Sequence, residues 1–410
     1  MISRFGCDVS LLKFAGSAWH LNDRPRYWQV CRISILFTSL LSLCITAVAA
    51  LASWLADHWH WEYASTMLLI SLALLPSTLI YITSSCFKAA HRPQIGAMLE
   101  IGTVCLIAVL ILACLRPLGW LMDDRSAAVV FVAASCLLAV IGLLSVWSLR
   151  KAKPLTESTD AKPNTAASRA SLGGTSNAGS PTEFGTGHFL RTSRDFALIA
   201  NAQVLGNFGG LLWLGIFFDE TQVAFYSAAL RIVLIPSLLV NIVVSICSPR
   251  LSGLHSAGDH AGLKNLAHSS ATAIFAFNVP LLLAMVIARD SLMGLFGPAF
   301  RDHGNLLAIM ALGLVLPTAT ILGSAILGMS GHHQVVRRVT LTSSALAIIT
   351  SGVLVAFFGP TGAALGFAAY SMLNTLVLAI FVKRELGFWP TAGSTMLTLF
   401  KRWRHRPQTK

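Results

Sequence analysis

Arg231 stands inside an otherwise uncharged stretch that runs from Thr221 to Pro249. A charge at the centre of a membrane span costs about 2.5 kcal/mol or more, so such residues usually face a polar cavity or a partner. A guanidinium can donate two parallel hydrogen bonds to a phosphate, which makes Arg231 our first candidate for binding an anionic substrate. Two structural interpretations stay open: the side chain extends to the membrane interface, or it pairs with Asp219 or Glu220.

Amide side chains form the second set of candidates, because they can hydrogen-bond to the hydroxyl groups of a sugar. Gln203 and Asn207 are four residues apart and share one face of a predicted helix, whereas Asn241 and Asn374 are isolated in other helices. The alternative for each of these four residues is a hydrogen bond to a neighbouring helix of the same bundle.

Glu100 is the only carboxylate well inside a predicted span, and Asp195 lies at the start of another. Glu100 is a candidate site for a coupling proton or sodium ion, and the alternative is an ion pair with Lys88 or Arg92. Asp195 is expected to open a helix and to interact favourably with its N-terminal dipole.

Catalytic and metal-binding motifs do not stand out in the sequence. We find no nucleophile–base pair, phosphate-binding loop or paired carboxylates, so we predict no enzyme activity, no catalytic residue and no cofactor. The His58/His60 and His332/His333 pairs lack further ligands at a suitable spacing, and no metal site is predicted. The eight cysteines include no Cys-x-x-Cys pair and are interpreted as packing residues.

The composition defines the environment in which these side chains must act. Of 410 residues, 55% are hydrophobic and 11% are charged, and the mean hydropathy is +0.70. A soluble domain carries about 25% charged residues, because its surface faces water. This chain is therefore predicted to be an all-α polytopic membrane protein. A soluble enzyme is excluded, and the net charge of +13 is better explained by membrane topology than by nucleic-acid binding.

About ten transmembrane helices are predicted, since each needs roughly 20 apolar residues to cross the hydrocarbon. The longest uncharged stretch, Val339–Val382, is expected to form two helices broken at Gly359-Pro360-Thr361-Gly362. The other eight are predicted in Ile33–Ala56, Ala64–Phe87, Ile95–Leu115, Ser126–Leu149, Phe196–Phe218, Thr221–Pro249, Leu266–Ala288 and Asn305–Met329.

Lys and Arg residues alternate between rich and poor segments along the chain. With a cytoplasmic N-terminus, the inside segments hold 25 of the 30 Lys and Arg residues and the outside loops hold four. This distribution satisfies the positive-inside rule, so both termini are predicted to be cytoplasmic in a multi-pass protein.

Four regions follow from these patterns. We expect an incomplete N-terminal bundle of four helices in residues 1–149, a flexible cytoplasmic linker in 150–193 and a six-helix bundle in 194–390. Residues 391–410 form a basic cytoplasmic tail that is expected to lie against anionic lipid.

The two halves also share an internal echo. The stretch from Leu75-Pro76-Ser77 to His91 recurs 241 residues later, from Leu316-Pro317-Thr318 to His332. Internal repeats of this kind are common in transporters. The echoed loop follows the fourth helix of the second bundle but only the second helix of the first, so two N-terminal helices are expected to be missing.

The second half resembles the polysaccharide and lipid-linked-oligosaccharide flippases (Wzx-like) of the multidrug/oligosaccharidyl-lipid/polysaccharide (MOP) exporter superfamily. In the first half, Lys88–Glu100 is similar to that family, and Gly6-Cys7-Asp8-Val9-Ser10 resembles the loop after its second helix. The segments that carry the resemblance in the second half are Val223–Ile232, Ser248–Ser252, Gly258-Asp259, Leu295–Phe300, Gly328–Gly331 and Gly359–Ala364.

This resemblance implies a MATE/MOP-like fold and transport by alternating access in the bacterial inner membrane. The implied substrate is an undecaprenyl-pyrophosphate-linked oligosaccharide for capsule, O-antigen lipopolysaccharide or exopolysaccharide synthesis. The expected partners are this lipid-linked oligosaccharide, membrane lipids and glycan polymerase or assembly proteins, with no nucleic acid. Three alternatives are a multidrug or cation exporter of the same superfamily, a truncated remnant that does not transport, and a membrane glycan polymerase or ligase. The short outside loops disfavour the polymerase.

Overall fold

The computed structural model describes residues 2–58, 68–69, 71–115, 124–148, 186–320 and 322–390. Regular structure in these residues is helical, as the composition predicts. The α-helices of the first part are α1 (Cys7–His20), α2 (Arg24–His58), α3 (Leu74–Ala89), α4 (Pro93–Met98), α5 (Ile101–Leu115) and α6 (Asp124–Ser148). Those of the second part are α7 (Thr186–Phe217), α8 (Glu220–Val233), α9 (Ile235–Ser256), α10 (His260–Ile287), α11 (Arg289–Gly294), α12 (Gly304–Thr318), α13 (Gly323–Met329) and α14 (His333–Leu386).

Membrane-spanning length and hydropathy are met by seven helical segments within the described residues. One of them, α14, contains 54 residues and bends at Gly359, whose φ of 57° and ψ of −137° are not helical. A positive φ of this kind is readily available to glycine. The prediction that Val339–Val382 forms two helices broken at this point is therefore confirmed.

Three predicted spans are interrupted, each near a proline or a charge. Leu234 separates α8 from α9, because Pro236 lacks the N–H that would continue the helical hydrogen bonds. Residues 319–322 separate α12 from α13 just after Pro317. Leu99 and Glu100 separate α4 from α5, so Glu100 lies in a break rather than inside a continuous span.

The chain divides into two compact units, one comprising nearly all of residues 3–193 and the other most of residues 194–410. In the N-terminal unit, α1, α2, α3 and α6 surround a core with the fully buried Tyr27, whose hydroxyl donates to the carbonyl of Cys86 at 2.9 Å. In the C-terminal unit, α8 and α14 pack on α12 around the buried Tyr226. Close packing of apolar side chains between helices stabilises each unit, as is usual for helices surrounded by lipid.

Small residues allow α7 and α12 to approach α14 closely after its bend, in the second arm that runs from Gly359 to Leu386. A Cβ atom on Gly206 would lie 2.3 Å from the ring of Tyr370, and one on Gly313 would lie 2.3 Å from the Cβ of Ala368. Glycine at these positions lets the helix backbones come together, as is common between membrane helices.

Repeated turns confirm that the two halves share a local architecture. Asn22 after α1 and Gly258 after α9 both have positive φ, at 58° and 73°. The next residues, Asp23 and Asp259, each donate a backbone hydrogen bond to the carbonyl five residues earlier, at 2.8 and 3.0 Å. Their carboxylates accept from the backbone N–H three residues later, at 3.2 and 2.8 Å. Each turn is thus a Schellman motif followed by an N-cap.

A second pair of turns corrects the internal echo by one residue. His91 after α3 and Gly331 after α13 have positive φ, at 56° and 91°. The residues that follow them, Arg92 and His332, again donate to carbonyls five residues earlier. His91 therefore corresponds structurally to Gly331, at an offset of 240 residues. The two residues occupy the same position in the turn, the one with positive φ, whereas the sequence match had paired His91 with His332.

Other boundaries also differ from the sequence predictions. Gly6–Ser10 does not form a loop after a helix, since α1 begins at Cys7 and its own turn comes after His20. The last eight residues of the predicted linker, 186–193, are the start of α7. Residues 150–185 of that linker and the basic tail, 391–410, lie outside the described residues.

Candidate functional site

Arg231 lies in the last turn of α8, and its side chain is exposed while its neighbours Leu230 and Ile232 are buried. It forms no ion pair or hydrogen bond with any part of the chain that the structure describes, so the expected alternative pairing with Asp219 or Glu220 is not formed there. Ser227, one turn earlier, shares this face. Arg231 is therefore a cation whose donors remain available to a ligand.

Gln203 and Asn207 are half-buried on α7, and this helix contacts α8 at Gly210. Gly210 of α7 meets the hydroxyl of Tyr226 of α8, which would be 3.0 Å from an added Cβ. Asn207 lies about 4.5 Å from Gly210 along the axis of α7, and Arg231 lies about 7.5 Å from Tyr226 along the axis of α8. Helical rise alone therefore puts Gln203, Asn207 and Arg231 within about two turns of this contact, and no hydrogen bond joins the three side chains in the described part of the chain.

Asn374 and Asn241 behave differently. Asn374 lies one turn beyond Tyr370, the residue that packs on Gly206, so it is at about the level of Gln203. Its Oδ1 atom is buried and has no hydrogen-bond partner in the described part of the chain. Asn241 is exposed on α9, about 15 Å beyond Arg231 along the chain axis, so the structure does not bring it to the same level.

Glu100 forms an ion pair with Lys88, which is one of the two alternatives to a coupling role. The Lys88 side chain is 10% exposed and the Glu100 side chain 38% exposed. The turn around them is held by Ser84, which donates to the carbonyl of Gly96 at 2.7 Å. This pair joins α3 to the start of α5.

Replacing Glu100 with Gln is expected to destabilise the protein by about 1–2 kcal/mol, because it leaves the buried ammonium of Lys88 without a counter-ion. The measurement is the thermal unfolding midpoint of the protein in detergent. The matched control is the double variant Lys88→Met/Glu100→Met, which removes both charges and is expected to recover stability. A stable Glu100→Gln variant that loses its dependence on a proton or sodium gradient would instead assign Glu100 to ion coupling.

Asp195 is the one carboxylate for which the sequence expectation is wrong. It lies ten residues into α7, not at its start, and its side chain is 1% exposed. Its Oδ1 accepts a hydrogen bond from Nη1 of Arg337 at 2.5 Å, and its Oδ2 lies 3.5 Å from Nε2 of His333. Arg194, more than half exposed, is 3.8 Å away. Asp195 therefore holds α7 to the first turns of α14.

A second carboxylate contacts the histidine beside this cluster. Nε2 of His332 lies 3.7 Å from Oε2 of Glu385, near the end of α14. The turn between α13 and α14 is thus fastened to both α7 and the end of α14. One feature of the sequence could have indicated this cluster: Asp195 lies between the basic residue Arg194 and the apolar run that begins at Phe196.

These geometries leave a basic and amide-rich set of side chains in the C-terminal unit. Glu100 and Asp195 are each matched to a basic side chain, whereas Arg231 and the exposed Asp219 and Glu220 form no ion pair among the described residues. Among the described residues, no group of three or more His, Cys, Asp or Glu is placed to hold a metal ion. The arrangement can bind an anion and hydroxyl groups rather than a cation.

Solved structures described as transporters share the helical arrangement of this chain. A MOP-superfamily transporter from Pyrococcus furiosus, described as having a binding pocket of reverse polarity, matches over 94% of this chain and 84% of its own length. The identity is 13% and the TM-score is 0.75. The chain has the MOP-superfamily fold. The predicted all-α, MATE/MOP-like architecture is confirmed.

Two further comparisons agree with this fold. An outward-facing multidrug resistance MATE transporter matches over 94% of this chain and 84% of its own, with 13% identity and a TM-score of 0.74. The Vibrio cholerae MATE transporter VcmN matches over 94% and 85%, with 13% identity and a TM-score of 0.71. No family model matches the chain.

A curated relative gives a functional comparison. The probable low-salt glycan biosynthesis flippase Agl15 of Haloferax volcanii is 24% identical over 224 residues, which cover 51% of this chain. The match spans 48% of that relative, so this chain matches about half of its length. This relative is described as a probable flippase, and the solved structures named above are described as transporters.

Proposed function

We propose that the protein is a flippase that moves a lipid-linked oligosaccharide across the membrane by alternating access. The observation that carries this proposal is the unpaired Arg231 in the same unit as Gln203, Asn207 and Asn374. The guanidinium provides a fork for a pyrophosphate, and the amides provide donors and acceptors for sugar hydroxyls. Without such groups, a pyrophosphate and a glycan in hydrocarbon would leave many polar atoms unsatisfied.

The similarity to a glycan biosynthesis flippase supports the same substrate class. We propose that the carrier is undecaprenyl pyrophosphate, that the membrane is the bacterial inner membrane and that both termini are cytoplasmic. The distribution of Lys and Arg supports this orientation. The sugar and pyrophosphate would cross through the protein while the polyprenyl tail stays in the bilayer.

A multidrug or cation exporter is the second candidate, because the fold is shared with MATE transporters. Binding an organic cation requires an available carboxylate in the transport path. Glu100 and Asp195, however, are both engaged with basic side chains. These ion pairs favour an anionic substrate over a cationic one.

The test is a clean deletion of the gene with complementation by the 410-residue chain. Surface glycan and cell-associated lipid-pyrophosphate oligosaccharide are quantified together in each strain. We expect the glycan to disappear and the intermediate to accumulate in the deletion, and the chain to restore both. An unchanged glycan in the deletion, together with increased drug sensitivity, would contradict the proposal and support the exporter.

A further inference from the structure

A small pocket of the N-terminal unit lies between α2 and α6. Its volume is about 210 Å³, and its lining is predominantly apolar with one charged side chain, Arg32. This is well above the roughly 10–15 Å³ that one water molecule needs on the same measure, so the pocket can take a group much larger than water.

The lining residues form one row on α2 and one on α6, and each row changes from aromatic to aliphatic side chains along the helix. On α2, Trp28, Arg32 and Leu36 follow one another at a spacing of four, and on α6 so do Leu143 and Trp147. Residues four apart occupy one face of a helix. Each row therefore passes from an aromatic end to an aliphatic one, as a lipid passes from its headgroup to its acyl chain.

The aromatic ends of both rows lie where the apolar runs stop. Arg32 is the last charge before the uncharged run 33–56, and Trp147 comes two residues before the end of the run 126–149. Tryptophan is enriched at the level of lipid headgroups. The distribution of Lys and Arg assigns this interface to the cytoplasmic leaflet.

Arg32 is exposed, and it makes no ion pair or hydrogen bond with the residues that the structure covers. An unpaired cation at the edge of the hydrocarbon attracts an anion, and arginine matches the geometry of a phosphate oxygen pair. Basic pockets between transmembrane helices on the cytoplasmic side bind lipid headgroups in this manner.

We propose that this pocket binds an anionic phospholipid of the cytoplasmic leaflet. The phosphate contacts the guanidinium of Arg32, the ester region lies between Trp28 and Trp147, and the first methylenes follow Leu36 and Leu143. The proposal uses only residues of the N-terminal unit, so it does not depend on which molecule the protein carries.

The test is native mass spectrometry of the delipidated full-length protein, titrated with phosphatidylglycerol or with phosphatidylcholine of the same acyl chains. We expect wild-type protein to retain one phosphatidylglycerol in preference to phosphatidylcholine. Arg32→Ala is expected to weaken phosphatidylglycerol binding about tenfold and to leave phosphatidylcholine binding unchanged. The matched control is Arg191→Ala, because Arg191 is exposed in the same unit and is not part of the pocket lining.

A second readout locates the lipid independently of Arg32. Phosphatidylglycerol brominated near the headgroup is expected to quench tryptophan fluorescence less in Trp147→Phe than in wild-type protein. Equal weakening by Arg32→Ala and Arg191→Ala would overturn the proposal in favour of diffuse charge attraction. Preferential binding of polyprenyl phosphate at Arg32 would also overturn it, by assigning the pocket to a carrier lipid.

Discussion

Replacing Asp195 with Asn is expected to destabilise the C-terminal unit by about 3 kcal/mol, the largest stability effect of any single change proposed for this chain. Asn keeps the shape of the side chain but removes its charge, which leaves the guanidinium of Arg337 without its counter-ion. The Arg337 side chain is only 23% exposed, so water compensates little of this loss. The measurement is the unfolding midpoint of the purified protein in detergent, followed by size-exclusion chromatography.

Two control variants distinguish the ion pair from a general effect of charge. Arg194→Gln removes an exposed cation 3.8 Å from the same carboxylate, and its expected cost is below about 1 kcal/mol. The double variant Asp195→Asn/Arg337→Gln removes both charges and is expected to regain part of the stability. If Asp195→Asn unfolds at the wild-type temperature, the pair does not hold α7 to α14.

Replacing Arg231 with Ala is expected to reduce glycan export by about one to two orders of magnitude, with normal protein levels. A hydrogen bond to a charged group contributes about 1.5–3 kcal/mol, which corresponds to this loss of rate if the phosphate is bound at the rate-limiting step. Stability is expected to be unchanged, because Arg231 is exposed and has no ion pair in the described chain. Export is measured by surface glycan in a deletion strain that expresses each variant.

The comparison of substitutions at this position defines the role of the guanidinium. Arg231→Lys keeps the charge without the planar fork, so it is expected to retain more export than Arg231→Ala. The matched control is Arg338→Ala, which removes an exposed cation near the start of α14 and is expected to export normally. Wild-type export by Arg231→Ala would remove Arg231 from the mechanism.

Hydropathy predicted most of the long apolar helices that the structure describes, but not where these helices end. The run Ser126–Leu149 differs from α6 by only a residue or two, since α6 starts and ends at the apolar boundary. In contrast, α2 begins at Arg24 and α7 at Thr186, each nine or more residues before its apolar run. A helix can continue into the headgroup region and water, where charged and polar side chains are favourable.

The sequence predicted part of the candidate site, because charged residues are easily recognised within long apolar segments. The position of Arg231 was visible in the sequence, and so was the possible pairing of Glu100 with Lys88. The partner of Asp195 was not visible, because Arg337 is 142 residues away and local spacing carries no information on such a contact. The placement of Gln203, Asn207 and Arg231 within about two turns of one contact likewise depends on Gly210 meeting Tyr226.

The bend at Gly359 has a consequence for how the chain is made. The 44 residues from Val339 to Val382 carry no charge, and the two arms of α14 meet at the bend with no hydrophilic loop between them. The turn contains no charged residue, so little would keep it in water while the second arm is being synthesised. We therefore expect the two arms to enter the bilayer together as a hairpin, with Arg338 and Lys383 on the cytoplasmic side that the positive-inside rule predicts.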